Sequence, residues 1–426
     1  MKVTSSLRTD VGQTRDSNED FMLSDQTLNA FVVCDGVGGH EHGEVASSEA
    51  AHYTIEYLRE HRKLIEDFVD GPDSREALTD LLSQAVQGAG KKIWNLAHNS
   101  SPASMRMGTT LTLLVIIADK GFMAHIGDSR LVLQRNQETH QLSDDHTYLA
   151  EVLQKAELTE AQKRKHPMRN VVTRALGQSE LVMVDTLIFD VLPDDTFLLC
   201  SDGLHQYVYE PTELSHILNE DNLDEVSDRL IYLANERGGS DNITAIVVRA
   251  HHEGKDSAAL RERTQRISTR LATMKHVDLF RYLSHKEILQ LQTVAETVNL
   301  SKHTTIFIQG HSSDSLFIVL EGEVSVERNG ILITTLVAGA HFGEMALLSA
   351  RPRSATARTV RDSQLLKIAR DRINELIKKQ PVLGVKLLWN LSQVLSLRLD
   401  ATTGEFAQTA ASALDSAPTS KSPLPF

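Results

Sequence analysis

The sequence predicts an α+β chain of two domains joined by a helix, and three observations lead there. At 426 residues the chain exceeds what one core ordinarily organises. Its first part mixes short apolar runs of strand character with long helical patterns, whereas a later part runs strand after strand between Gly-containing turns. The charge is divided as well: residues 1–250 carry 22 Lys and Arg against 40 Asp and Glu, and the remainder carries 22 against 17. An acidic front part argues against nucleic-acid binding and suits a cation site.

In chain order, strand-like runs fall at 30–34, 110–118, 121–126, 130–134, 196–200 and 243–249, and helical patterns at 44–60, 75–98 and 224–237. Strands cluster and helices flank them, so a layered domain of both is expected over 1–250. Residues 136–170 are polar and weakly periodic, which predicts an excursion across the surface. Beyond "HHEGKDS", Leu260, Ile267, Leu271 and Met274 recur near heptad spacing and predict a linker helix within 251–275. Its apolar stripe suits coupling of the domains, a homodimer, or packing back onto its own chain.

A short helix at 278–290 precedes "IFIQG", "SLFIVLEGEVSVERNG", "LITTLVAGAHFG" and "SQLLKIA", strands separated by turns. Helical patterns at 370–379 and 382–399 close a second domain over 276–400, and the Ala-, Ser-, Thr- and Pro-rich 401–426 predicts a disordered tail. The longest apolar run, "LTLLVIIA" at 111–118, is too short to cross a bilayer, and the N-terminus lacks a signal-peptide pattern. No membrane role and a cytoplasmic location are therefore expected. Cys34 and Cys200 each end an apolar run and are expected as buried, reduced thiols.

The chemistry lies where those apolar runs stop. "FVVCDGVGGH" ends in Asp35-Gly36 and "FLLCSDGLHQ" in Asp202-Gly203; "TRDSNED" brings Arg15, Glu19 and Asp20, "IGDSR" brings Asp128, and "GGSDNIT" brings Asp241. Singly, each Asp-Gly reads as a turn. Together, strand ends converging on one rim would gather carboxylates that repel one another unless a positive charge sits among them. Oxygen ligation without His or Cys is what hard cations such as Mg²⁺ or Mn²⁺ prefer. Glycine after Asp35 and after Asp202 leaves room for a backbone carbonyl or a water near such an ion. His40 and His42 in "GGHEHGE" have the look of a zinc pair but lack further nitrogen or sulfur ligands nearby.

The ordered set R-x-x-N-E-D, D-G-x-G-G-H-x-x-G-E, G-T-T, G-D-S-R, T-R-A-L-G, S-D-G-L and S-D-N-I-T spans about 240 residues. It resembles the metal-dependent serine/threonine phosphatases related to protein phosphatase 2C, in the form seen in bacterial members. The resemblance implies an α-β-β-α sandwich of two antiparallel sheets and hydrolysis of phosphoserine and phosphothreonine in proteins by water activated between two metal ions. By the same resemblance Asp35 bridges the ions, Asp202 and Asp241 complete the shell of one, and Glu19 and the Gly36 carbonyl serve the other. Asp20 orients metal-bound water and Arg15 grips the substrate phosphate.

Two departures mark this chain. Val37 stands where many eukaryotic relatives carry a histidine, and Gln206 stands where an acid would join Asp128 around a third ion. Asp144 and Asp145, at the base of the 136–170 excursion, read as ordinary solvated acids or as neighbours of the substrate.

"HFGEMALLSARPRSATA", residues 341–357, is the other informative stretch. A Gly-Glu step opening a short helix offers N–H groups to an anion, and Arg353 can reach the same point; a surface ion pair between Glu344 and Arg353 is the plainer reading. The stretch is similar to the phosphate-binding cassette of cyclic-nucleotide-binding domains, and 275–400 follows their jelly-roll barrel with flanking helices. The resemblance implies a ribose hydroxyl on Glu344, the cyclic phosphate on Arg353, and assistance from Gly343, Met345 and the amides near Ala346. The 382–399 helix would be a lid over the base. Ser354, following the arginine, is neither the threonine that goes with cyclic GMP nor the alanine that goes with cyclic AMP; cyclic AMP is favoured.

The expectation is a phosphoprotein phosphatase regulated by a cyclic nucleotide. The rival expectations are a catalytically silent phosphoprotein-binding scaffold, or a phosphatase whose barrel serves only dimerisation or docking.

Overall fold

The computed structural model describes residues 1–37, 41–100, 107–151, 159, 162, 166–252, 258–348 and 351–415. The chain divides into two compact units, Met1–Ile267 and Ser268–Phe426.

Two sheets form the centre of the first unit. One has the strand order β1 (Lys2–Asp10), β11 (Ile243–His251), β10 (Thr196–Cys200), β7 (Arg130–Arg135) and β8 (Glu138–Gln141). The other has the order β2 (Asp20–Asp25), β3 (Ala30–Val37), β5 (Leu111–Ile117), β6 (Lys120–Ile126) and β9 (Asp185–Asp190), with the short β4 (Gly108–Thr109) beside β3. Every ladder is antiparallel.

Helices cover both outer faces. α1 (Glu41–Glu60) and α2 (Pro72–Ser100) bring Ile55, Leu58, Leu82, Val86 and Ile93 onto Val32, Cys34, Leu113 and Phe122. α3 (Pro211–Leu218) and α4 (Leu223–Glu236) bring Leu214, Ile217, Val226 and Leu230 onto Leu198, Cys200, Ala245 and Val247. The alternate residues Phe31, Val33, Leu133, Phe197, Leu199 and Ile246 face the opposing sheet and are fully buried. Phe189 and Phe197 meet across that interface with ring centroids 5.7 Å apart. Each such side chain contributes about 1.5–3 kcal/mol on burial. Burial on both faces explains why these strands read as unbroken apolar runs rather than alternating ones.

All six strand runs and all three helical patterns singled out in this region form. β1, β2 and β9 were not legible, because each mixes polar and apolar residues on a half-exposed surface. α5 (Ala258–His276) is the linker helix, with Ile267, Leu271 and Met274 buried and Leu260 only partly so. Arg263 ties its first turns to Asp119 at 2.6 Å and Asp190 at 3.4 Å.

The second unit opens with α6 (His285–Thr293), started by a reciprocal cap in which Ser284 and Glu287 bond each other's backbone N–H. Two four-stranded sheets follow. One is ordered β12 (Ala295–Leu300), β19 (Ser363–Ala369), β14 (Ser315–Glu321), β17 (His341–Phe342) and the other β13 (Thr305–Phe307), β18 (Thr356–Thr359), β15 (Glu323–Arg328), β16 (Ile331–Val337). Phe317, Val319, Val324, Phe342, Ala357 and Leu365 fill the space between them.

After α7 (Arg370–Lys379), α8 runs Pro381–Asp415. This corrects the expected tail over 401–415: the helix does not stop near 400 but continues fifteen residues further, through a stretch whose five alanines favour helix, and 416–426 lie outside the described residues. No helix among the described residues is long and apolar enough to cross a membrane.

Candidate active site

The side-chain period of two decides where the acids point. Val32 and Cys34 face α1 and α2, so Asp35 falls on the intersheet face with Phe31 and Val33, at the strand end where the apolar filling runs out. Asp20 is paired directly opposite Asp35 in the β2–β3 ladder, so the two carboxylates leave the same face side by side. From the other sheet, Ser201 donates its hydroxyl to Asp20 Oδ2 at 2.6 Å, and Asp202 follows at the turn. Asp241, just before β11, accepts from Arg15 Nη2 at 2.8 Å.

The backbone here is clamped. Asp35 N donates to Thr110 Oγ1 at 2.9 Å, and Asp35 O accepts from Thr110 N and Thr109 Oγ1, both at 2.9 Å. The G-T-T stretch therefore holds Asp35 in place. Glu19 O accepts from Gly36 N at 3.1 Å and from Ser47 Oγ at 2.6 Å, and Glu19 N donates to Asn242 Oδ1 at 2.8 Å. The glycines permit close packing at the site: a Cβ on Gly36 would stand 2.4 Å from Gly43 O, and one on Gly203 would stand 1.9 Å from Asn242 O. Asn242, Ser201 and Thr110 are functional supports that the sequence reading passed over, though each lies within or beside a quoted motif.

The electrostatics bind the acids into one neighbourhood. Burial, followed by Asp20, Asp202, Asp128 and Asp241, pushes the Asp35 carboxyl well above its ordinary range. Burial, with Asp128, Asp241 and Asp20 adding, does the same to Asp202. Burial lifts Asp20 to about 6 against the bonds from Ser201 and Thr244, and burial with Asp145 lifts Asp128 to about 7. Among the described residues no group of three or more His, Cys, Asp or Glu side chains could hold a metal ion in the arrangement as it stands. The donors are all carboxylate and carbonyl oxygen, and each raises the cost of its neighbours' charge. A hard divalent cation would relieve that cost, so the oxygen donors and their charge suit one, with the side chains drawing closer around it.

The loop below differs from expectation. Asp145 is not a solvated acid: Arg130 grips it through two bonds of 2.9 and 2.6 Å, and although burial works the other way, the guanidinium holds it at about 2. Asp144 is exposed. His205, held neutral at about 3 by burial and then by Arg130, donates from Nε2 to Asp128 O at 2.9 Å. His40 and the Gly38-Gly39 pair lie outside the described residues.

A second cluster lies in the barrel. Arg353, 7% exposed, donates from Nη1 to Ser315 O at 2.9 Å, and its guanidinium stacks over Phe307 at 4.1 Å. Its Nε is buried without a hydrogen-bond partner. Gly343 comes so near that a Cβ there would stand 2.7 Å from Arg353 Nη1. The surface pair with Glu344 does not form; Glu344 is 6% exposed and bonds Arg398 instead. The Ala346 amide is committed to Gly343 O at 3.0 Å, while Met345 and Ser354 are exposed.

Two family models match the chain: protein phosphatase 2C over residues 12–247 and cyclic nucleotide-binding domain over residues 297–380. The serine/threonine phosphatase stp of Listeria welshimeri is 34% identical over 258 residues, 59% of this chain and 98% of that protein. The crystal structure of the Mycobacterium tuberculosis serine/threonine phosphatase PstP/Ppp aligns over 59% of this chain and 100% of its own, at 30% identity and TM-score 0.52. The catalytic domain of the phosphatase PstP, solved in complex with two manganese ions, aligns over 59% and 99% at 29% identity and TM-score 0.50.

Proposed function

Because this chain belongs to the protein phosphatase 2C family, we propose that it is a phosphoprotein serine/threonine phosphatase whose centre is built on Asp35, Asp202, Asp241 and Glu19. The observation that carries this is the placement of the acids: Asp20 opposite Asp35 in register, Ser201 of the other sheet on Asp20 just before Asp202, and Asp241 on Arg15. On this reading Asp35, Asp202 and Asp241 would hold one Mn²⁺ or Mg²⁺, and Asp35, Glu19 and the Gly36 carbonyl would hold a second. A third ion at Asp128 would lack a further acid, since Gln206 stands where one would be needed. Two such ions supply Lewis acidity toward phosphoryl oxygens and make water more acidic.

The chain's own groups do the rest. Arg15, tethered to Asp241 and 45% exposed in its side chain, presents guanidinium N–H donors to a phosphate monoester dianion. Asp20, opposite Asp35 in register and fixed at Oδ2 by the Ser201 hydroxyl, would orient the attacking water. Manganese-dependent release of phosphate from phosphoserine and phosphothreonine peptides tests this. Asp35→Asn should abolish it, and an inactive wild-type protein with Mn²⁺ or Mg²⁺ would refute the reading.

For the barrel, the domains proposed are a catalytic part over 1–250, a linker over 251–275 and a cyclic-nucleotide-binding part over 276–400, with cyclic AMP favoured over cyclic GMP. The support is Arg353: a buried guanidinium with an unpartnered Nε beside Gly343 is suited to an anion. Calorimetry with cyclic AMP and cyclic GMP should give binding that Arg353→Ala removes; heat unaffected by the substitution would place the ligand elsewhere. The same titrations run with the phosphatase assay ask whether occupancy changes turnover.

A further inference from the structure

One oxygen of the Glu344 carboxylate is already engaged by the protein itself. Arg398 of α8 places Nη1 on Glu344 Oε1, while its Nη2 donates to His341 O at 3.2 Å and lies 3.4 Å from His341 Nε2. Side-chain exposure is 8% for Glu344 and 47% for Arg398, so the carboxylate sits at the bottom of the contact and the guanidinium at its mouth. Arg353, the buried arginine of the stretch, is bonded to Ser315 O, stacked on the Phe307 ring and 3.7 Å from Asp314 Oδ1, and its Nε has no hydrogen-bond partner. The barrel thus holds a guanidinium with an unpartnered Nε, paired only at 3.7 Å with the exposed Asp314, and a carboxylate that its own C-terminal helix engages.

We propose that Arg398 is an internal latch that competes with the ribose hydroxyl of a cyclic nucleotide for Glu344, so that ligand entry requires α8 to release it. This rests on reading the barrel as a cyclic-nucleotide site. Standing at the mouth with its charge-assisted bond to Oε1, the guanidinium lies in the path by which a ribose hydroxyl would reach the carboxylate, and that hydroxyl's own bond is the weaker one. The hydroxyl prevails only as part of a ligand whose phosphate is held by Arg353 at the same moment. While the latch is closed, apparent affinity falls by the fraction of molecules that are open. Arg398 is half exposed, which keeps the contact weak enough to break. Its release also frees His341 O, so nucleotide binding is converted into loosening of α8 around residue 398.

The test is calorimetry of the full chain with cyclic AMP and with cyclic GMP, comparing wild type, Arg398→Ala and Arg398→Gln. Both variants are expected to bind the preferred nucleotide about threefold tighter or more, as loss of a half-exposed charged competitor implies. Binding by the variants alone supports the latch as well. Equal or weaker binding in both, with the wild type still binding, overturns the latch and leaves the nucleotide site standing; weaker binding would make Arg398 a ligand contact. No binding by any of the three removes the site and the latch together. In the wild type, amide exchange over 395–402 should quicken at saturating nucleotide, and unchanged exchange there counts against the proposal.

Discussion

Asn242 holds Glu19 from across the sandwich: its Oδ1 accepts from Glu19 N at 2.8 Å while its Nδ2 donates to Val11 O at 3.0 Å and Ser17 O at 2.9 Å. One 4%-exposed amide thereby ties three points of the β1–β2 connection to the start of β11, next to Asp241. The position of Glu19 relative to Asp241 is a property of this side chain.

Replacing Asn242 by Ala leaves a buried N–H and two carbonyls without their partner. The expected cost is about 2–4 kcal/mol, from about 1–3 kcal/mol per unsatisfied group with partial relaxation. Guanidinium denaturation reads the stability. The manganese concentration for half-maximal phosphatase activity should rise, and an unchanged manganese dependence would mean that Glu19 does not depend on Asn242.

Gly203→Ala is expected to disable the site without unfolding the sandwich. The added methyl would collide with Asn242 O, and Asp241 Cβ lies only 3.4 Å from the same point, so relief requires the Asp202 and Asp241 turns to separate. Turnover should drop at least tenfold while the far-ultraviolet circular dichroism stays native. Full activity would show that the two turns move independently.

Divalent cation should stabilise the fold. Acids that burial and one another hold above their ordinary range lose that penalty when a cation sits among them. Manganese at a hundredfold excess over its dissociation constant adds about 2.7 kcal/mol, seen as a raised Tm that EDTA reverses. In Asp35→Asn the Tm should respond far less to manganese, and an equal response would locate the ions away from Asp35.

Acid sensitivity should trace in part to Asp25. Its carboxylate accepts from Thr27 N, Thr27 Oγ1, Leu28 N and Arg59 Nε. Burial raises its pKa, but the Thr27 and Arg59 bonds prevail and hold it at about 2, below the ordinary 3.8. A depressed carboxylate stabilises the fold above pH 3.8, and that stability is lost as pH falls through about 2. Asp25→Asn should therefore cost about 2 kcal/mol at pH 7 and almost nothing at pH 2. A deficit equal at both pH values would assign the effect to packing.

How much of this could be read beforehand depended on whether a signal was local. Buried strands such as Leu111–Ile117 and Thr196–Cys200 announce themselves as apolar runs, and Asp35, Asp202 and Asp241 stand out because they interrupt such runs. β1 and β2 were missed, because half-exposed strands carry polar residues that turns also carry. Helix continuation beyond 400 was missed because Ala and Thr composition alone does not separate a disordered tail from the end of a long helix.

The sequence by itself determined the residue types, their order and the strand parity that turns Asp35 inward, since these are consequences of covalent spacing and a period of two. Only the tertiary structure decided who touches whom. Asp20 lies beside Asp35 through sheet register, Asp145 belongs to Arg130, and Glu344 belongs to Arg398 rather than to Arg353. Such pairings join residues tens of positions apart, and the free energy that selects them comes from burial and charge in the assembled core, which no local stretch of chain contains.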